Sequence, residues 1–241
     1  MKIIFFYLSC LFVLSIACQS TGFEMKRKDF AKKTYYNSRI QVDADNNPLD
    51  TLQVYFPEMQ NDDSTAYDIV NGKTYPIVYT RQTTNIDSFR NAWYSRNLRA
   101  LKEPLLFNKS FDKEIIRFTW LRTFHNPIAI RVVKSEQSID LYWKLCDGAG
   151  GYEPGNLILN RSKKLKIGEW NKILKYLDNA SFWTPKFVRE ALGYDGAQWI
   201  IEATGPDYYQ VMDVWCGGDL ISVGLYLLSL TDIVVEKDKI Y

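Results

Sequence analysis

Glu114-Ile115-Ile116-Arg117-Phe118-Thr119-Trp120-Leu121-Arg122 opens the most regular stretch of the chain. Ile116, Phe118 and Trp120 alternate with Arg117, Thr119 and Leu121, the period of two expected of a strand. His125-Asn126-Pro127 turns the chain, and Ile128, Ile130 and Val132 then alternate with Ala129, Arg131 and Val133. After Ser135-Glu136-Gln137, Ile139, Leu141, Trp143 and Leu145 alternate with Asp140, Tyr142 and Lys144. Three such runs joined by short turns predict an antiparallel meander with one buried and one wet face.

Working outward, a glycine-rich loop over Asp147–Gly155 leads to a fourth strand near Leu157–Leu165. From Gly168, the residues Trp170, Ile173, Leu174 and Leu177 fall at helical spacing and predict an amphipathic helix. A short helix is expected from Thr184-Pro185 to Gly193. Ala197–Ala203 and Tyr208–Trp215 form a hairpin around Thr204-Gly205-Pro206-Asp207. Asp219 is placed to cap a last apolar helix, Leu220–Leu230, too short to span a bilayer. Upstream, Ile86–Lys102 reads as a helix capped by Asp87 or Ser88, with Phe89, Trp93 and Leu101 on a narrow apolar stripe. Thr51–Phe56 and Ile77–Thr80 are short strand candidates, Asp43–Pro48 is a turn cluster, and Gln60–Thr65 is a polar loop. Strands and helices are segregated along the chain. The fold class is therefore α+β: an antiparallel sheet of a four-strand meander plus a later hairpin, with helices packed on one face.

The first residues carry an address. Lys2 precedes an apolar run, Ile3–Ala17, interrupted only by Ser9 and Ser15, and small residues lead into Cys18. This is the layout of a secretory signal followed by a lipid-accepting cysteine. An ordinary secretory leader and an uncleaved anchor are the alternatives. The expectation is a signal peptide over 1–17, a lipid on Cys18, a tether over 18–34 and a single domain over 35–241, best defined at 86–230. The protein would sit in a bacterial envelope, with the outer membrane preferred, facing the periplasm or the cell surface. With 30 basic and 28 acidic residues, the chain lacks the electrostatic footprint of a nucleic-acid binder. Cys146 and Cys216 would remain in an oxidising compartment, where either a disulfide or two buried thiols fits.

Candidate chemistry is sparse. Asp147-Gly148-Ala149-Gly150-Gly151-Tyr152-Glu153-Pro154-Gly155 has acids among glycines. It lacks the Gly-Lys-Ser/Thr end of a P-loop and the third glycine of a dinucleotide fingerprint. A structural connection between strands explains it better. His125 is the sole histidine and has no Gly-x-Ser-x-Gly partner motif; a turn residue is its simpler role. Gln198 and Glu202 share one strand face, near Asp195. Arg122 falls on the side of Phe118 and Trp120, where an arginine is costly unless paired, and Asp147 or Asp213 could pair with it. Arg122, His125, Asp147, Glu153, Asp195 and Glu202 are thus the candidate ligand cluster, expected to gather at one end of the sheet. No metal motif and no cofactor motif is present, so neither is expected.

Three blocks carry a resemblance: Arg117–Pro127 (RFTWLRTFHNP), Asp147–Gly155 (DGAGGYEPG) and Asp195–Glu202 (DGAQWIIE). They resemble a group of bacterial envelope proteins and lipoproteins with no assigned function. The resemblance covers residues 86–230 and implies one domain there, and no activity or site. Sequence therefore favours a lipid-anchored binding or interaction module, attached to the membrane by its lipid and meeting an envelope protein or small ligand. A hydrolase-like enzyme using His125 with nearby acids, or an inhibitor plugging another protein's active site through the Asp147–Gly155 loop, are the rivals.

Overall fold

The computed structural model describes residues 39–58, 61–70, 73–82, 86–183 and 195–241, with backbone alone for the two strands at 61–82. The leader, Cys18, the tether and the short helix expected at 184–193 lie outside the described residues. No helix among the described residues is long and apolar enough to cross a membrane.

Among the described residues, eight strands form two sheets. β1 (Asn61–Val70) and β2 (Lys73–Gln82) make an antiparallel hairpin, so residues 61–65, expected as loop, are strand, while the Ile77–Thr80 strand holds. Thr51–Phe56 is turn and coil instead of strand. The main sheet comprises β3 (Glu114–Arg122), β4 (Ile128–Lys134), β5 (Ile139–Cys146), β6 (Leu157–Lys164), β7 (Ala197–Thr204) and β8 (Tyr209–Trp215), in the order β6-β5-β4-β3-β7-β8. Every pairing is antiparallel. The meander grows one way from β3 and the hairpin docks on its other side, so β3 becomes central and β6 an exposed edge carrying Arg161, Lys163 and Lys164. Charged edges of this kind discourage further strand pairing.

Among the described residues, three α-helices complete the α+β fold: α1 (Ser88–Ala100), α2 (Ile167–Asn179) and α3 (Ile221–Ser229). Trp170, Ile173 and Leu177 of α2 and Val223 and Leu227 of α3 pack on Ile116, Phe118, Trp120, Leu141 and Trp143, as the two periodicities demand. Leu174 is only half-buried there. Asp219 does not cap α3; it sits inside a preceding 3-10 turn, Gly218–Leu220.

The expectation of helices on one face and water on the other does not hold. α1 covers the opposite face, where Tyr94 and Leu98 join Ile115, Leu121, Ile200 and Val211 in a second core. The segment Leu105–Phe111 completes that cover. Of the stripe read from Phe89, Trp93 and Leu101, only Phe89 faces out, at 75% exposed; Trp93 is half-buried against the second core and Leu101 is buried, and the buried side of α1 itself is Asn91, Tyr94, Ser95, Asn97 and Leu98. This helix could not be oriented by hydrophobicity because its inner face is half polar. Asn91 and Ser95 are used inward, holding the backbone of Tyr55 and Phe56: Ser95 Oγ accepts from Tyr55 N at 2.8 Å, and Asn91 Nδ2 donates to Phe56 O at 2.9 Å.

Candidate functional site

The three sequence blocks meet at one end of the sheet, through backbone more than through side chains. Gly150 N donates to His125 O at 2.9 Å and Gly151 N to Thr123 O at 3.2 Å. Thr123 N donates to Gly196 O at 2.9 Å, closing the third loop onto the other two. Asn126 Nδ2 donates to Cys146 O at 2.8 Å. Gly150 is required here, since a Cβ would stand 2.8 Å from Leu121 Cα. The glycine-rich loop is thus a brace, and its glycines are explained by close backbone approach.

The acids on these loops splay apart. Asp147 Oδ1 accepts from Asn156 N at 2.6 Å, a bond within its own turn. Glu153 pairs with Arg96 at 2.8 Å with its side chain 82% exposed. Asp195 is exposed. His125 Nδ1 lies 2.8 Å from the Tyr241 hydroxyl. Burial, with the positive charges of Arg122 and Lys239, holds its pKa below the ordinary imidazole value. Glu202 is not at this end: it sits five residues beyond Ala197, about 17 Å along β7 at about 3.4 Å per residue. Arg122 lies on the Trp120 face as expected, 4.3 Å above that ring, but neither Asp147 nor Asp213 is its partner. A groove of about 390 Å³ lies elsewhere, lined by Trp143, Arg161, Lys163 and Asp232 at the β5–β6 edge.

What the braced loops do present is aromatic surface. Phe124 and Tyr152, 56% and 57% exposed, stack with ring centroids 5.9 Å apart. Trp93 Nε1 donates to Gly150 O at 2.6 Å, and Arg96 NH2 to Tyr152 O at 2.7 Å, tying α1 to the loop. Phe89 adjoins Trp93, 6.5 Å between centroids. A cluster of exposed aromatic rings on a rigid base is unusual for a surface that meets only water.

The covered second face holds a charge network that the alternation pattern alone could not reveal. Arg117 and Arg131 stand directly opposite on β3 and β4, a like-charge pairing that disfavours the sheet. Glu103, from the loop after α1, inserts at this point: its carboxylate lies 3.7 Å from Arg117, 2.8 Å from Arg131 and 3.0 Å from Lys144. On the other side Arg117 engages Glu202 through Nε at 2.7 Å and through NH2, and the Tyr209 hydroxyl donates to Glu202 Oε1 at 2.8 Å. Burial alone would raise the Glu103 pKa, but Arg131, Lys144 and Arg117 outweigh it and hold the carboxyl below its ordinary value. The only signal for this network in the sequence is the coincidence of Arg117, Arg131, Lys144 and Glu202 on one strand parity; Glu103, in a loop, gave none.

Nearby, the Tyr94 hydroxyl donates to Asp213 Oδ2 at 2.8 Å. Burial pushes the Asp213 pKa up to about 7.

The possible Cys146–Cys216 disulfide is ruled out by topology. β5 and β8 are separated by β4, β3 and β7, about 19 Å at about 4.8 Å per strand, against the roughly 7 Å that a bridge allows. Cys146 is a buried thiol, its pKa pushed up to about 11 by burial, and Cys216 is an exposed one. Among the described residues no group of acids, histidine and cysteines is arranged to hold a metal.

No family model matches this chain, and a comparison with characterised proteins likewise finds no match.

Proposed function

We propose that the protein is a lipid-anchored binding module of a bacterial envelope, tethered through Cys18, that meets a protein partner with the aromatic end of its sheet. The reading is carried by the stacked, half-exposed Phe124 and Tyr152 on loops braced by backbone hydrogen bonds. Large rings already held in place lose little conformational entropy on binding, which is why aromatic anchors dominate protein–protein contacts. The flanking Arg96–Glu153 pair supplies a polar rim. The leader pattern supports the anchor and the compartment.

Two experiments test the reading. Cys18→Ser should shift the protein from the membrane to the soluble fraction or block its processing; a fully soluble mature wild type with a free Cys18 thiol refutes the anchor. The double variant Phe124→Ala/Tyr152→Ala should keep the wild-type melting temperature and lose the neighbours crosslinked to the native protein in intact membranes. An unchanged set of crosslinked neighbours refutes the aromatic end as the contact surface.

A further inference from the structure

Arg122 is the charged residue whose surroundings least account for it. It is 4% exposed, and no carboxylate among the described residues lies within ion-pair distance. Its Nε has no hydrogen-bond partner. Its two terminal nitrogens reach only backbone carbonyls, NH1 to Lys239 O at 3.4 Å and NH2 to Asn126 O at 3.3 Å, both longer than ordinary N–H···O bonds. Stacking on Trp120 offsets part of the cost of burial, yet a buried guanidinium ordinarily finds a carboxylate or phosphate.

Other donors converge beside it. Trp199 Nε1 donates to a Tyr241 backbone oxygen at 2.9 Å, and Trp120 Nε1 donates to the same oxygen at 3.3 Å. His125 Nδ1 holds the Tyr241 hydroxyl, and the two rings meet edge to face at 5.8 Å. One main-chain oxygen of Tyr241 thus receives two indole N–H groups beside an arginine whose Nε is unpartnered, so the four groups form a receptor for an oxygen that carries negative charge. The occupying segment joins no strand: Glu236, Lys237 and Asp238 are exposed and Val234 is 92% exposed, while Ile240 and Tyr241 rest half-buried on the core.

We propose that Arg122, Trp120, Trp199 and His125 form a binding site for a carboxylate on an aromatic body, and that the Glu236–Tyr241 segment is its displaceable occupant. The Tyr241 ring and hydroxyl mark where the body lies, and the twice-bonded oxygen marks where the carboxylate binds. The site is distinct from the Phe124–Tyr152 surface, since Trp120 and Trp199 lie on the α2–α3 face of the sheet, although His125 comes from the braced turn.

The test uses the full chain carrying Tyr241→Ala, which vacates the ring position without removing any donor. The probes are desaminotyrosine (tyrosine lacking its amino group), its neutral amide, and the tripeptide Lys-Ile-Tyr with a free carboxyl group. Trp120 and Trp199 lie in the site, so intrinsic fluorescence reads occupancy and calorimetry confirms it. At least one acid should bind Tyr241→Ala saturably, and at least about tenfold more tightly than it binds wild type, whose segment is held in place by the Tyr241 ring and hydroxyl as well as by its main chain. The tripeptide binding alone identifies the ligand as a peptide C-terminus; desaminotyrosine binding alone identifies a small acid. Adding Trp199→Phe, which keeps an aromatic ring and removes one donor to the anion, should weaken binding by roughly tenfold or more. The proposal is overturned if neither acid gives a saturable response in Tyr241→Ala up to roughly 10 mM. It is equally overturned if the amide binds as well as the acid, or if Tyr241→Ala binds no better than wild type. A melting curve for each variant separates loss of the site from loss of the fold.

Discussion

Glu103→Gln keeps the shape of the side chain and removes one charge from the centre of the covered face. Glu103 is 1% exposed and lies within 4 Å of three cations, at 2.8, 3.0 and 3.7 Å from Arg131, Lys144 and Arg117. With Gln in its place, Arg117 keeps Glu202 while Arg131 and Lys144 lose their carboxylate, and Arg131 and Arg117 face each other across the β3–β4 pair without an intervening anion. Breaking a buried ion pair by removing one partner costs on the order of 3–5 kcal/mol, mostly from the charge left behind. For a domain of this size, each kcal/mol lowers the melting temperature by about 2–4 °C, so the expected fall is roughly 6–20 °C. Thermal unfolding followed by circular dichroism at neutral pH reads it directly. A second substitution, Lys144→Met, removes one surplus cation and should restore part of the loss, on the order of 1 kcal/mol or more. Glu153→Gln serves as the control, because its 82%-exposed pair should change stability by no more than about 0.5 kcal/mol. If Glu103→Gln melts within a degree or so of the control, the network is not what holds α1 and its loop to the sheet.

Asp213→Asn should make the protein less sensitive to pH. A carboxyl with its pKa raised to about 7 binds its proton more tightly folded than unfolded, so this group's contribution to stability falls as pH rises from about 4 to about 7 and levels off above. The gap between variant and wild type should widen through that window, by at most about 4 kcal/mol, in urea melts at stepped pH; a constant gap would argue against a buried protonated Asp213. Leu177→Ala, at a fully buried α2 position, should cost about 2–5 kcal/mol, and Leu174→Ala, at a half-buried one, clearly less; equal losses would mean that α2 sits differently on the sheet. Alkylation of the folded protein should label Cys216 and spare Cys146 until denaturant is added, and mass spectrometry should find no bridge between them.

The strands were legible because each had a run of apolar residues at one parity and a turn at its end. Leu141 and Trp143 point where Trp170 and Ile173 need a surface, and the periodicities identify both partners without knowledge of the chain path. The other parity was misleading. Arg117, Thr119, Arg131, Lys144, Gln198 and Glu202 look like a solvated face, yet all are buried or nearly so. Residue type reports the cost of desolvation and not whether a partner offsets it; the partner, Glu103, lies in a loop with no periodicity to mark it. For the same reason the candidate cluster mixed two environments. His125, Asp147, Glu153 and Asp195 share the braced end, whereas Glu202 belongs to the network and Arg122 to the opposite face.

The braced end and the covered face are mechanically connected, and this bears on what the aromatic surface can do. Half-buried Trp93 and exposed Arg96 of α1 hold the glycine-rich loop at Gly150 and Tyr152. Inward, the same helix is fixed by Tyr94 on Asp213 and by Asn91 and Ser95 on Tyr55 and Phe56. Glu103, three residues past the end of α1, ties the exit of the helix to three strands. A polar inner face does for α1 what a purely apolar one could not. Its hydrogen bonds and ion pairs are directional, so they fix the rotation and axial position of the helix as well as its proximity. The position of Tyr152 relative to Phe124 is therefore set by the buried network as much as by the loops that carry them. On this argument Glu103→Gln should also disturb the Phe124–Tyr152 stack, which sits on the loops that α1 holds and not on the network itself. Nuclear magnetic resonance shifts of those two rings, measured well below the melting temperature, should move in Glu103→Gln and stay in place in Leu174→Ala. Shifts that remain fixed in both would show that the loops hold the aromatic end unaided.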